Sequence, residues 1–216
     1  MLTHLQNLYV KIQKIIEKIV MLIKLYGFTF GINLIGLYRQ QEAAALWNIA
    51  LNGVLSNNKY IRQNGEIINT VNDIADETLQ EKVKQKLIKQ IKKQDAFGIE
   101  FFPKSKLAKK ILSSDEMKQF FHTNKDELLK MNKLSDRALS FKLGDLKNSL
   151  HNVDLVDIKI DDNGLLKLKV LDTYDFNPNE SDWKVRLARE FQEKEYIKTY
   201  YTITNIEINK ISLESA

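Results

Sequence analysis

At 216 residues with 44% hydrophobic content, the chain can bury a real core as one large domain or two small ones, which excludes disorder as its default state. Its 33 Lys and Arg outnumber 28 Asp and Glu, and the net charge of +5 favours anionic partners such as phosphates, membrane surfaces or nucleic acid without choosing among them. Cysteine is absent, so thiol nucleophiles and disulfides are excluded; His4, His122 and His151 show no zinc-binding spacing, so a zinc enzyme is not expected and any metal should be a hard one held by oxygen.

Leu5, Leu8, Ile12, Ile15, Ile16, Ile19 and Ile23 recur at three and four, which predicts one buried stripe of an amphipathic helix. Lys11, Lys14 and Lys18 on the same segment would also suit an anionic membrane surface. No cleavable signal peptide is expected, because these residues lack a basic start followed by an uninterrupted apolar run. Residues 19–38 are the one membrane candidate. Lys24 and Asn33 interrupt them and Gly27, Gly31 and Gly36 lower helix propensity, so a buried helix pair is expected there. A second helix is predicted over Arg39 to Val54, with Ala43, Ala44, Ala45, Leu46, Ile49 and Ala50 allowing close packing. A third runs from Glu66 to about Asp95, with Ile67, Val71, Ile74, Leu79, Val83, Leu87, Ile88 and Ile91 on one side. Its Lys82, Lys84, Lys86, Lys89, Lys92 and Lys93 read as a solvated face, with salt-sensitive nucleic-acid binding as the weaker alternative.

Gly98 and Pro103 break the helical pattern, so Phe97 to Pro103 is a connector or short extended piece. Ser105 to Leu112 and Ser114 to Phe121 read as short helices, the second opened by Ser114-Asp115-Glu116, and Leu128 to Leu134 continues the helical material. Near residue 145 the pattern changes to alternation. His151 to Ile160 and Leu165 to Leu171 predict antiparallel strands, joined at Asn163-Gly164 by a type I′ turn. A helix is expected over Ser181 to Tyr196, anchored to the sheet by Trp183 and Phe191, and Ile197 to Ile211 alternates again. The fold class is therefore α+β: a mostly helical part over 1–144, then an antiparallel hairpin, helix and further strands over 145–216.

The residues that concentrate chemistry follow the second strand: Asp172-Thr-Tyr174-Asp175-Phe-Asn-Pro178. Asp172 and Tyr174 point to one face of a strand and Asp175 can turn toward them. Two carboxylates so placed can hold magnesium, or one can act as general base on water while the phenol positions a leaving oxygen. A purely structural role stands beside these, because Asn177-Pro178-Asn179-Glu180 has the order of a helix start. His151, opening the first strand, is placed to reach the motif across the hairpin.

This segment resembles the active-site stretch of the colicin M family, bacterial toxins in which Asp-any-Tyr-Asp, often continuing into Asn-Pro, follows a β-strand. The resemblance covers roughly residues 145–210. It implies a magnesium-dependent phosphodiesterase that cuts lipid II between the undecaprenyl chain and the pyrophosphate-linked sugar and blocks peptidoglycan synthesis. It assigns the catalytic positions to Asp172, Tyr174 and Asp175, with Asp172 and Asp175 on the metal. The family also uses an arginine seven residues after the second aspartate, where this chain has Asp182; Arg186 or Arg189, one and two turns on, would have to take its place. Their alternative is surface pairing of Arg186 with Glu190 or Arg189 with Glu193. The partners implied are lipid II or another lipid-linked pyrophosphate, a membrane surface and an immunity protein, without specific nucleic-acid binding, and the place of action is the target-cell periplasm after secretion or delivery. The competing expectation is a non-enzymatic secretion-system or phage-associated protein with a degenerate toxin fold.

Overall fold

A single helix, α1 (Leu2–Tyr38), occupies the whole N-terminal segment of the computed structural model, where two shorter helices were expected at its end. The structure describes residues 2–53, 58–90, 96–176 and 181–209, and the side chains of these except 2–5 and 88–90. After α1 come α2 (Gln41–Asn52), α3 (Lys59–Asn64), β1 (Gly65–Ile68), a 3-10 turn at Val71–Asp73, α4 (Glu77–Gln90) and β2 (Gly98–Phe101). Then follow α5 (Lys106–Ser113), α6 (Asp115–Met131), β3 (Arg137–Ser140), α7 (Gly144–Ser149), β4 (Asn152–Ile160), β5 (Leu165–Tyr174), α8 (Trp183–Glu193) and β6 (Tyr200–Asn209).

The strands form one six-stranded sheet in the order β1-β2-β6-β5-β4-β3, antiparallel except where β2 runs parallel to β6. The class is α+β, and the sheet draws strands from both sides of the change in pattern at residue 145. The predicted third helix starts only at Glu77: Ile67 lies in β1, paired with Ile99, and Val71 in the 3-10 turn. Four residues of strand are too few for alternation to outweigh a longer helical pattern.

Alternation in β5 sends Leu166, Leu168 and Val170 to one face and Leu171 to the other. The first face carries the main core, where Leu46, Trp47, Ile49, Leu107, Ile111 and Phe191 are fully buried. Each such side chain contributes about 1.5–3 kcal/mol. On the second face α4 lays Leu79, Val83 and Leu87 over Val156, Leu171, Tyr201 and Ile203. A bulge in β4 at Asp157, in the left-handed region at φ 54°, shifts the pairing with β5 by one residue and returns Ile158 to the main core. The β4–β5 turn is not type I′. Gly164 alone takes positive φ (73°) and Asn163 does not, while the Asp161 carboxylate accepts from the backbone N–H of Asn163 and Leu165 at 3.0 Å each.

The stripe predicted to be buried in the first helix is exposed. Leu8, Ile12 and Ile15 recur eleven residues on as Ile19, Ile23 and Tyr26, and again as Phe30, Leu34 and Leu37, all between 47% and 72% exposed. The face that packs is the opposite one. Met21 and Leu25 are buried, Phe28 and Ile32 lie against the core, and Gly36 meets α2 so closely that an added Cβ would stand 2.4 Å from Ala44 Cβ. Trp47 Nε1 donates to Thr29 Oγ1 at 3.0 Å and Asn48 to Asn33 at 2.6 Å, tying the same face to α2.

Candidate functional site

Asp172 and Tyr174 occupy the last positions of β5 and share a face with Val170, so strand alternation itself turns them toward the main core. They are buried, Asp172 to 5% exposure, and therefore sit within the sheet rather than projecting into a turn as the sequence suggested. Register places Asp172 level with Thr202 and Tyr174 level with Tyr200 on β6. The Tyr174 ring stacks on Tyr200 (centroids 5.1 Å apart), which stacks in turn on Phe97 (5.2 Å). Tyr200, fully buried, donates its hydroxyl to the Leu46 carbonyl at 2.9 Å and so fixes this aromatic column to α2.

Beyond Tyr174 the chain turns sharply, with the Asp175 N–H on the Thr173 carbonyl at 2.9 Å. Gln192 on α8 clamps that turn. Its Nε2 donates to the Tyr174 carbonyl (3.1 Å) and to Thr199 Oγ1 (3.2 Å), and its Oε1 accepts from the Phe176 N–H (3.0 Å). The expected Asn177–Glu180 helix start lies outside the described residues; α8 opens at Trp183 with Asp182 as N-cap, its carboxylate accepting from the Lys184 N–H at 2.8 Å.

These residues line one cavity of about 300 Å³. Asp172, Thr173, Tyr174, Asp175 and Phe176 form one side, and Lys147 to His151 and the α8 residues Asp182 and Val185 form the rest. His151 reaches it because the β4–β5 pairing, continued from Asp154 opposite Leu171, brings it level with Tyr174; its own φ of 53° turns the chain there. Burial lifts both carboxyls above the ordinary carboxylate range. For Asp172 the lift is large, opposed by Lys86 and the Thr173 backbone N–H and increased by Asp175 and Asp154. For Asp175 it is opposed by Arg189 and Lys86. Burial, then the charge of Asp172, also pushes the Tyr174 phenol up.

The two candidate arginines divide. Arg189 Nη1 donates to the Phe176 carbonyl at 3.2 Å and its Nε pairs with Glu193 at 3.0 Å, so it stands beside the turn that carries Asp175. Arg186 is exposed and among the described residues forms no ion pair, Glu190 pairing with Lys194 instead, and neither arginine lines the cavity. Trp183 does not anchor its helix, being 59% exposed, whereas Phe191 is buried in the main core against Phe28 of α1 and Trp47 of α2.

Trp183 instead borders a second cavity of about 400 Å³, walled by Gly27, Phe28, Gly31, Ile32 and Ile35 of α1 and by Trp47, Val185 and Ala188. An added Cβ at Gly27 or Gly31 would meet nothing within 4 Å, so the small residues leave this groove open. It shares Asn148, Tyr174, Phe176, Asp182 and Val185 with the acid-lined cavity. The acid-lined pocket thus adjoins an apolar one across a shared wall.

Lys86 is the cation that pattern reasoning missed. It does not belong to a solvated face: its side chain is 13% exposed, and its ammonium binds Asp154 (2.7 Å) and the Leu171 carbonyl (3.1 Å), one residue from Asp172. Lys82 is engaged likewise by Asp136 and Asp157, whereas Lys89, Lys92 and Lys93 fall outside the described side chains. Lys82 and Lys86 border a larger cavity of about 480 Å³ on the α4 face, and because their charges are already paired it offers little to an anion. Comparisons with protein families, curated proteins and solved structures find no match for this chain.

Proposed function

We propose that this chain is a hydrolase of lipid-linked pyrophosphates, the activity implied by the resemblance of Asp172-Thr-Tyr174-Asp175 to the colicin M family, with lipid II as its substrate, the target-cell periplasm as its place of action and blocked peptidoglycan synthesis as the result. The observation that carries the reading is the adjoining pair of cavities, one lined by two carboxyls and the other mostly apolar. A diphosphate attached to an isoprenoid chain has that same division of character.

Magnesium is usually held by one or two carboxylates together with water and substrate phosphate, so it does not need an all-protein cage. Among the described residues no three acids or histidines form such a cage. Asp172 and Asp175 fit the smaller requirement: Asp172 is buried and Asp175 half-buried, both line the cavity, and across the strand pair the Thr202 hydroxyl is buried without a hydrogen-bond partner. These two aspartates would hold the ion, which when bound neutralises phosphate charge.

The remaining roles follow from position. Arg189, beside the Asp175 turn but paired with Glu193 and outside the cavity lining, would stabilise charge on the diphosphate by turning from Glu193 toward it. His151 in the cavity wall takes the proton of the attacking water as the water oxygen bonds to phosphorus and the phosphorus–oxygen bond to the lipid breaks. Tyr174, kept protonated by its raised pKa, gives its proton to the departing lipid oxygen, which leaves as the free alcohol, while His151 releases the proton it took to solvent, from which the phenol is restored.

The second reading, a non-enzymatic secretion-system or phage-associated binding protein, is favoured by one observation: Asp182, in the position where the family has arginine, is engaged in capping α8. One assay separates the two. Purified protein with radiolabelled lipid II and magnesium should release a soluble pyrophosphate-linked sugar, and Asp175→Asn should slow that release about 100-fold or more with an unchanged circular dichroism spectrum. No product from the unaltered chain leaves the binding reading; undiminished release by Asp175→Asn removes the assignment of the site.

A further inference from the structure

The exposed eleven-residue stripe of α1 needs an occupant. From Leu8 to Leu37 it extends about 44 Å at 1.5 Å per residue, and an eleven-residue period keeps it nearly straight along one side of the helix. A row of large apolar side chains of this length is far beyond scattered surface hydrophobics. The helix carries Lys11, Lys14, Lys18 and Lys24 against a single acid, Glu17. Lys11, Lys14 and Lys18 form a row roughly a quarter turn round from the stripe. Glu17 lies on the other side, close enough to Lys194 of the α8 end to act on it electrostatically.

We infer that α1 lies flat on an anionic lipid bilayer, with the stripe in the headgroup–acyl boundary, the flanking lysines at the phosphates and the rest of the protein on its back. Charge favours an anionic surface over a second copy of the chain as the occupant. In a parallel pair Lys11 and Lys18 would face the same lysines, and in an antiparallel pair they would face residues 26–38, which contain no acid. An anionic surface complements them in either direction. Composition and length alone would let Gln6–Tyr38 cross a membrane, its most apolar window having a mean hydropathy of 1.7. Crossing conflicts with the packing, because Met21, Leu25 and Gly36 hold the apolar half against α2, and the half left free contains Lys11, Lys14, Glu17 and Lys18. The inference rests on α1 and is independent of the hydrolase reading.

The test is co-sedimentation of the full chain with vesicles of phosphatidylglycerol mixed with phosphatidylcholine, or of phosphatidylcholine alone, with no enzymatic readout. Binding should be strong on the anionic vesicles, fall about tenfold between low and moderate salt, and be removed by carbonate washing. Ile19→Glu combined with Ile23→Glu should weaken it at least about 100-fold, because both side chains leave the boundary, while the urea midpoint stays in place because both are exposed. Replacing Lys11, Lys14 and Lys18 together with Gln should weaken it about 100-fold on anionic vesicles only. The inference is overturned if the chain sediments with neither vesicle, if it resists carbonate extraction as a spanning helix does, or if it is a dimer without lipid that the Ile19 and Ile23 changes dissociate.

Discussion

Gln192→Ala tests whether the turn bearing Asp175 is built by α8. Three hydrogen bonds are lost at once: to the Tyr174 carbonyl, from the Phe176 N–H and to Thr199. Each is worth about 1 kcal/mol net, which sets an upper value near 3 kcal/mol. Tyr174 and Phe176 border the open cavity, so water replaces part of what is lost and the cost falls to about 1–3 kcal/mol. For a chain of 216 residues that lowers Tm by about 2–4 °C per kcal/mol. Urea unfolding followed by tryptophan fluorescence reads it directly, since the Trp47 ring stands 6.1 Å from Phe176 at that turn. Gln192→Glu isolates the donor. Its carboxylate still accepts from the Phe176 N–H but cannot donate to the Tyr174 carbonyl, and it places a negative charge near Asp175. Its deficit at neutral pH should match or exceed that of the alanine variant and shrink as acid protonates the new carboxyl. Losses below about 0.5 kcal/mol for both variants would show that the turn stands without the clamp.

Three further outcomes follow from other parts of the fold. Asp145→Ala removes a cap supplied from α7, whose carboxylate accepts from the Glu42 and Ala43 N–H groups at 3.0 and 2.9 Å and pairs with Lys110; calorimetry should show about 2–3 kcal/mol of lost stability, and no loss would mean that water caps α2 equally well. Burial lifts the Glu42 carboxyl above its usual range despite its hydrogen bond from Tyr60, so the unfolded chain gives up this proton at lower pH than the folded one and stability falls as pH rises through that window; thermal melts from pH 4 to 8 should show a shallower fall for Glu42→Gln, and parallel curves would contradict it. Gly36→Ala, which in an unobstructed helix would stabilise by about 1 kcal/mol, should instead destabilise by about 1–3 kcal/mol because its Cβ meets Ala44, and adding Ala44→Gly should recover part of the loss; a raised Tm for Gly36→Ala alone would refute the close α1–α2 contact.

Local periodicity made α2, α5, α6 and α8 and the strands β4, β5 and β6 legible, because each repeats its pattern over a stretch longer than its neighbours' influence. The same signal misplaced α1. An apolar stripe facing a core and one facing outward have the same spacing, and only the packing of Met21, Leu25 and Gly36 on α2 shows which face is covered. The candidate site divides in the same way. Asp172, Tyr174 and Asp175 are neighbours in the chain and were found together, whereas Lys86, His151 and Gln192 reach them through sheet register and helix docking across up to 86 positions. No short-range pattern encodes such meetings.

Arg189 marks the boundary between the two kinds of information. On α8, Val185, Ala188, Arg189 and Gln192 fall on one side at spacings of three, one and three, and all four are at least partly covered, while Arg186 points away and is exposed. Phasing the helix on Ala188 and Phe191 would have selected Arg189 over Arg186 from the sequence alone, since both apolar residues must face the core. What phasing cannot supply is the partner. That the selected guanidinium meets the Phe176 carbonyl, and so stands next to Asp175, depends on where β5 ends and on how α8 is held by Phe191 between Phe28 and Trp47. Helix phase therefore determines which arginine turns toward the end of β5, and tertiary packing determines what it meets there.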